Sequence, residues 1–353
     1  MVDMFHHWYK RHFSDPHAVS LIALLVISFL VIYFMGHVLA PFLVAIVLAY
    51  LLEWPVSRLS KMGVPRILAV ISVLLIFIGL MTFSLFGLSP IIWHQVSNLV
   101  SDIPSMFNDF QHFLSMLPHR YPDLIEPHFM VDLMTSLRDK VLVLGESLLK
   151  VSLSSLVSLA TLGVYLILVP LLVFFMLKDK KELLTMLGNV LPKNRRLTAR
   201  VSIEMNQQIS NYIRGKVIEI LVVGIATYLV FFFMDMRYSV LLAVLVGLSV
   251  LIPYIGAAAV TVPVAMVALF QWGISPEFWW LLIAYGVVQA LDGNILVPVL
   301  FSEAVNLHPV MIIVSVLVFG GFWGFWGVFF AIPLATLVKA VWHALQYTEE
   351  AAV

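Results

Sequence analysis

Asp292 is the side chain of this 353-residue sequence whose type and place most demand chemistry. It interrupts the run Phe278 to Leu300, which carries no other charge. An ionisable group inside a membrane-length apolar run is costly, and it usually faces a cavity or a partner. Gln289, about one turn earlier, and Asn294, just after, can share a polar lining with it. Two readings fit. In the functional reading the three residues bind a coupling proton or cation, or accept hydrogen bonds from a polyhydroxyl solute. In the structural reading Asp292 pairs backbone donors laid bare by a neighbouring broken helix. The 101 residues from Tyr238 to Val338 contain no Lys or Arg, so no ion pair within that stretch can neutralise it.

The same stretch holds two interruptions. Ser239–Ile252 and Ala257–Phe270 flank Pro253-Tyr254-Ile255-Gly256. Each run would give a helix of about 21 Å at 1.5 Å per residue, short of the roughly 30 Å hydrocarbon core. They read as a hairpin over 239–272 that enters from outside. Pro309–Phe319 and Val328–Val341 flank Gly320-Gly321 and Gly324, and read as a second hairpin over 309–341, entering from inside. Either pair could equally form two tilted full spans. Broken backbone at membrane depth is tolerated only where it is buried in protein or lines a wet cavity. Half-helix ends there can bind anions at N–H ends and cations at carbonyl ends. Pro253, Tyr254 and Gly256 are therefore candidate lining residues for a substrate or ion, with the Tyr254 hydroxyl as a candidate donor. The competing reading is a tight turn with no ligand. Gly320, Gly324 and Gly327 fall at i, i+4 and i+7, with Gly321 widening the face. That spacing suits close helix packing in lipid, or a sliding hinge. Pro263 is assigned with Gly320, Gly321 and Gly324 to packing and hinge roles.

The elements that must position these residues follow from composition. Hydrophobic residues make up 62% and charged residues 11% of the chain, against about half and a quarter in soluble domains. The expected class is an all-α polytopic membrane protein with about six to eight transmembrane helices and a small helical insert. Residues 1–94 hold N-terminal spans, read as runs Ser20–Met35, Phe42–Leu52 and Ile67–Trp93. Residues 95–150 read as a periplasmic helical region, with seven acids against four bases. Residues 151–177 form a further span, and 178–215 a basic amphipathic cytoplasmic arm. Residues 216–345 form a transport-like bundle, and 346–353 a tail. From Lys178 to Glu219 nine bases face four acids. Basic residues favour the cytoplasmic side, so this contrast orients the chain with both termini cytoplasmic, counting three spans before residue 95.

Several chemistries are excluded. The chain has no cysteine, hence no disulfide or thiolate site. His112, His119 and His128 have no zinc-finger spacing, so no metal is assigned. No phosphate-binding loop, Gly-x-Ser-x-Gly or His-Glu-x-x-His is present. The reading is a non-enzyme without cofactor. The basic arm follows the positive-inside rule and lies against lipid, with no nucleic-acid partner.

Three motifs occur in order: Pro253-Tyr254-Ile255-Gly256 followed by Pro263, then Leu291-Asp292-Gly293-Asn294-Ile295-Leu296-Val297-Pro298, then Asn306-Leu307-His308-Pro309 before a Gly-rich Phe/Trp run and Ala331-Ile332-Pro333-Leu334-Ala335. Together with the order of spans, insert and arm, they resemble the autoinducer-2 exporter family of bacterial permeases over essentially the whole chain. The resemblance implies an inner-membrane location and export of small polar solutes, the quorum signal among them in some members. It implies sodium/proton exchange in others, and a homo-oligomer, with a pentamer as one arrangement. Many members carry an amide where this chain has Gly293, so its polar cluster is thinner. The rival reading is a membrane scaffold that recruits cell-envelope proteins through residues 95–150.

Overall fold

Lipid offers backbone N–H and C=O groups no partners, so a spanning chain satisfies them within helices. The computed structural model describes residues 16–120, 155–190, 195–301 and 307–350, and among them there is no strand. The helices are α1 (Pro16–Lys61), α2 (Arg66–Arg120), α3 (Ser155–Lys178), α4 (Lys180–Val190) and α5 (Arg195–Phe233). They continue with α6 (Ser239–Ser249), α7 (Ile255–Trp272) and α8 (Pro276–Leu291), a π-helical turn (Asp292–Leu296), α9 (Val297–Phe301), α10 (Pro309–Phe329) and α11 (Ala331–Glu350). Six stretches are long and apolar enough to cross a membrane: Val38–Lys61, Arg66–Met106, Met205–Phe233, Ile255–Trp272, Pro276–Phe301 and Pro309–Phe329. Gly163–Lys178, Ser239–Ser249 and Ala331–Ala340 are shorter apolar helices. Phe34, Phe83, Ile167 and Phe233 stand at least three-quarters exposed, as lipid-facing side chains do. The chain is an all-α, multi-pass membrane protein.

Three long helices join what the sequence reading divides. The runs Ser20–Met35 and Phe42–Leu52 lie on one helix, α1, of 46 residues or about 69 Å. Gly36-His37 does not end it, and Pro41 and Pro55 lie inside it, because one missing N–H is tolerated where neighbours re-satisfy the backbone. The two runs therefore stand end to end instead of folding back. The count that put the N-terminus on the side of residues 54–66 does not follow from this helix. α2 carries the third span straight through residue 95 into the acidic region and past Pro118. α5 carries the basic arm directly into a span. Residues 121–150 of the expected insert, His128 among them, and Asn306 of the third motif lie outside the described residues.

Both interruptions reverse the chain. α6 ends at Ser249 after 11 residues, about 17 Å and too short to cross. Tyr254 adopts φ 63° and α7 then returns along α6. At Gly256 an added Cβ would lie 1.8 Å from the Ser249 carbonyl oxygen, so only glycine fits this close return. In α10 Gly324 has φ 55° and ψ −130°, which no helix contains. An added Cβ at Gly327 would lie 1.8 Å from the Phe319 carbonyl oxygen. The 21 residues of α10 therefore fold back on themselves near their end, and its length overstates its reach. The helical face expected from Gly320, Gly324 and Gly327 is absent for the same reason. Gly324 makes the turn, while an added Cβ at Gly320 would meet Val328 Cγ2 on the return at 2.8 Å.

Packing divides the buried core into three clusters. Ala45, Val56, Val70, Val173 and Leu177 bury α1, α2 and α3 together. Phe231, Leu242, Val246, Val264, Leu281 and Tyr285 bury α5 to α8. Tyr212, Ile213, Phe301, Ile312, Phe329 and Ile332 join α5 to α9, α10 and α11. Where the C-terminal ends of α1 and α3 meet the start of α2, Arg66 donates to the Leu177 carbonyl from Nη2 (2.6 Å) and Nε (3.0 Å). The same guanidinium meets Glu53 at 3.1 Å, and Lys180 also meets Glu53 at 3.1 Å.

Candidate functional site

The site is built on one face of α5. Tyr212, Lys216 and Glu219 follow at i, i+4 and i+7, and so line up along that face. All three are buried, with Lys216 4% and Glu219 2% exposed. The Lys216 ammonium lies 2.8 Å from Glu219 Oε2 and donates to the Val250 carbonyl at 2.8 Å. It also stands over the Phe301 ring, 5.2 Å from the centroid. Val250 caps the C-terminus of α6, where the helix dipole is negative. One turn away, the Tyr212 hydroxyl donates to the Phe329 carbonyl at 2.8 Å. A single helical face thus binds the broken end of the first hairpin and the returning limb of the second. α6 reaches it because Gly247 and Gly224 let the two backbones touch.

Asp292 opens the π-helical turn that packs on α5. Such turns widen a helix by one residue and recur at functional sites. Its carboxylate lies within electrostatic reach of both Lys216 and Glu219. The sequence stretch around Asp292 offers it no cation; α5 does. Asp292 Oδ1, Gln289 Nε2 and Thr227 Oγ1 are buried with no hydrogen-bond partner among the described residues. Unpaired buried polar atoms are rare and ask for a ligand, a water or an ion.

The other sequence candidates fall elsewhere. Asn294 is exposed and donates to the Ala290 carbonyl of its own helix at 2.8 Å, so it does not share the buried lining. Tyr254 is 57% exposed at the tip of the first hairpin. Pro253 stands beside it in the turn and Gly256 seals the return. Pro263 lies inside α7 and Gly321 has open space around it. His308 caps α10 by accepting from the Val310 N–H. Lys216 and Glu219 escaped the sequence reading because they were counted with the inner basic stretch. Removing the pair leaves eight bases against three acids there, the same balance of +5. The available signal was two opposite charges at i, i+3 directly before an apolar run.

A polar cleft of about 450 Å³ opens between the middle of α2 and the turn from α5 to α6, lined by His94, Gln95, Asn98, Ser101, Asp102, Arg237 and Tyr238. The Tyr238 hydroxyl donates to Asp102 across it. Burial, then the Asp102 carboxylate, push the Tyr238 hydroxyl up to about 12. Gln95 accepts from the Leu241 N–H at 2.8 Å, capping the first turn of α6 from α2. No group of three His, Asp or Glu among the described residues is placed to hold a metal.

Comparison with known proteins identifies the family. The chain is 56% identical over 344 residues to the "Putative permease PerM" of Escherichia coli (strain K12), covering 98% of each chain. It is 27% identical over 319 residues to the "Putative transport protein YueF" of Bacillus subtilis (strain 168), covering 88% of this chain and 84% of that one. The "AI-2 transport protein TqsA" of Escherichia coli (strain K12) is 23% identical over 330 residues, covering 91% and 90%. These relatives are named as permeases and transport proteins, not as enzymes. The profile of the AI-2E family transporter matches residues 22–346, and with so much of its length accounted for this chain belongs to that family.

Proposed function

We propose that this chain is a secondary transporter that exports a small polar solute across the bacterial inner membrane. Movement is driven by the solute's own gradient or by H⁺ or Na⁺. The observation that carries the reading is the convergence on α5: Val250 of one broken hairpin and Phe329 of the other both bond to its buried face. Lys216, Glu219, Asp292 and Gln289 supply charge and hydrogen-bonding capacity there. In membrane transporters such half-helix ends hold substrate and coupling ions. The hairpins move against the α1–α3 body and expose the site to each side in turn. Because one relative is named for AI-2 transport, that small polar signal is the first solute to test. The basic ends of α3 and α5 and the C-terminus face the cytoplasm, following the positive-inside rule. The chain assembles in the bilayer as a homo-oligomer, with a pentamer as the arrangement to look for.

The test is solute and ion flux in proteoliposomes under imposed pH and Na⁺ gradients, comparing wild type with Asp292→Asn. Gradient-dependent flux that the substitution lowers at least about tenfold, or about 1.4 kcal/mol in the barrier, supports the site. A correctly folded Asp292→Asn, Pro253→Ala variant that keeps full flux overturns it. No flux of any solute through well-folded protein shifts weight to a scaffold role.

A further inference from the structure

Lys216 stands where a free cation would stand. Its ammonium is held by Glu219 Oε2 and by the Val250 carbonyl, both at 2.8 Å, with the Phe301 ring on another side. The carbonyl belongs to the C-terminal end of a helix that stops inside the bundle, and such ends attract positive charge. Carbonyl ends of interrupted helices, combined with a carboxylate, are how transporters coordinate Na⁺ or H⁺. An aromatic face adds attraction for any cation above it. Asp292 contributes a second carboxylate to the local field. Lys216 and Glu219 are 4% and 2% exposed, so the contact is shielded from solvent.

We propose that this is a monovalent-cation site filled by the chain's own Lys216 ammonium, which acts as a tethered ion. The native chain therefore binds no free Na⁺ at that position. The relevance of the site to coupling rests on the transporter reading, but its cation chemistry does not. The competing explanation is that Lys216 only neutralises Glu219. The two differ in what is left when the side chain is removed. A cation site keeps its oxygen donors and accepts a small ion; a mere neutralising contact leaves a hole with no preference among salts.

The experiment is thermal unfolding of the purified full chain, followed by tryptophan fluorescence at constant ionic strength in sodium, methylammonium or choline chloride. Lys216→Ala is expected to melt about 3 °C or more higher in sodium or methylammonium than in choline, which is too large to enter. Wild type is expected to show no such difference. Lys216→Ala with Glu219→Gln is expected to lose the response, because the carboxylate is gone. A Lys216→Ala protein no more sodium-sensitive than wild type overturns the proposal. If Lys216→Ala does not fold in any salt, wild type decides. An unchanged melting temperature agrees with a filled site, and a sodium-specific rise that Glu219→Gln abolishes contradicts it. Neither readout uses flux, so failure here is separable from failure of the transport reading.

Discussion

Adding one methyl group at Gly256 is expected to unlock the first hairpin. An ideal Cβ there falls 1.8 Å from the Ser249 carbonyl oxygen. Real Cβ atoms essentially never come closer than 3.0 Å to another heavy atom, so the two limbs must part by at least 1.2 Å. The obstacle is backbone and has no rotamer through which to escape. Overpacking of this kind costs about 1–3 kcal/mol and occasionally more, here at the upper end because both partners are main chain. Alanine in place of glycine within a helix returns about 1 kcal/mol. The net for Gly256→Ala is a loss of about 2 kcal/mol or more, which lowers the melting temperature by about 4–8 °C. Gly327→Ala meets the Phe319 carbonyl at the same 1.8 Å and is expected to match it. Gly324→Ala has no steric neighbour but keeps φ 55°, and strain of that kind costs about 1–3 kcal/mol. Gly320→Ala presses on a Val328 methyl at 2.8 Å, which a β-branched side chain yields only at about 1 kcal/mol, and Gly321→Ala meets nothing, so it lies within about 0.5 kcal/mol of wild type. The assay is melting of the five variants in one detergent. If Gly256→Ala and Gly327→Ala melt like Gly321→Ala, the close returns do not exist and both segments are ordinary spans.

Three further tests address the ties around the site. Arg66→Ala removes two bonds to the Leu177 carbonyl and two to Glu53; with the guanidinium about a third exposed, the expected loss is about 1 kcal/mol, read by melting. Gln95→Leu leaves the first turn of α6 without its cap and is expected to cost about 1 kcal/mol and to speed amide exchange at Leu241. Tyr238 is raised from 10 to about 12, so its contribution is fully present below pH 10 and is lost as pH climbs through 12. Wild type should therefore lose melting temperature more steeply than Tyr238→Phe between those values. Parallel curves would show that the Asp102 contact carries no stability.

What was legible in the sequence was local or compositional. Lipid admits few charges, so 62% hydrophobic content and 101 residues without Lys or Arg were enough to place the chain in a membrane. Proline and glycine act on their own backbone, so the breaks near Pro253–Gly256 and Gly320–Gly324 could be located in advance. The α6 reversal falls there because Gly256 alone admits the close return, with Tyr254 held at positive φ in the turn, and the second falls at Gly324 because its φ/ψ pair needs glycine. Helix continuity was less legible. Pro41 would break a helix in water, but α1 continues through it. The cation in the neighbourhood of Asp292 was not legible at all. Lys216 lies 76 positions away in sequence and was counted in the charge balance of the basic stretch from Lys178 to Glu219. Its burial depends on α6 approaching α5 through Gly224 and Gly247, and on Phe301 closing over it. Composition fixes which solvent a segment prefers, whereas a buried charge and the groups that distant segments set around it come together only once packing has excluded water.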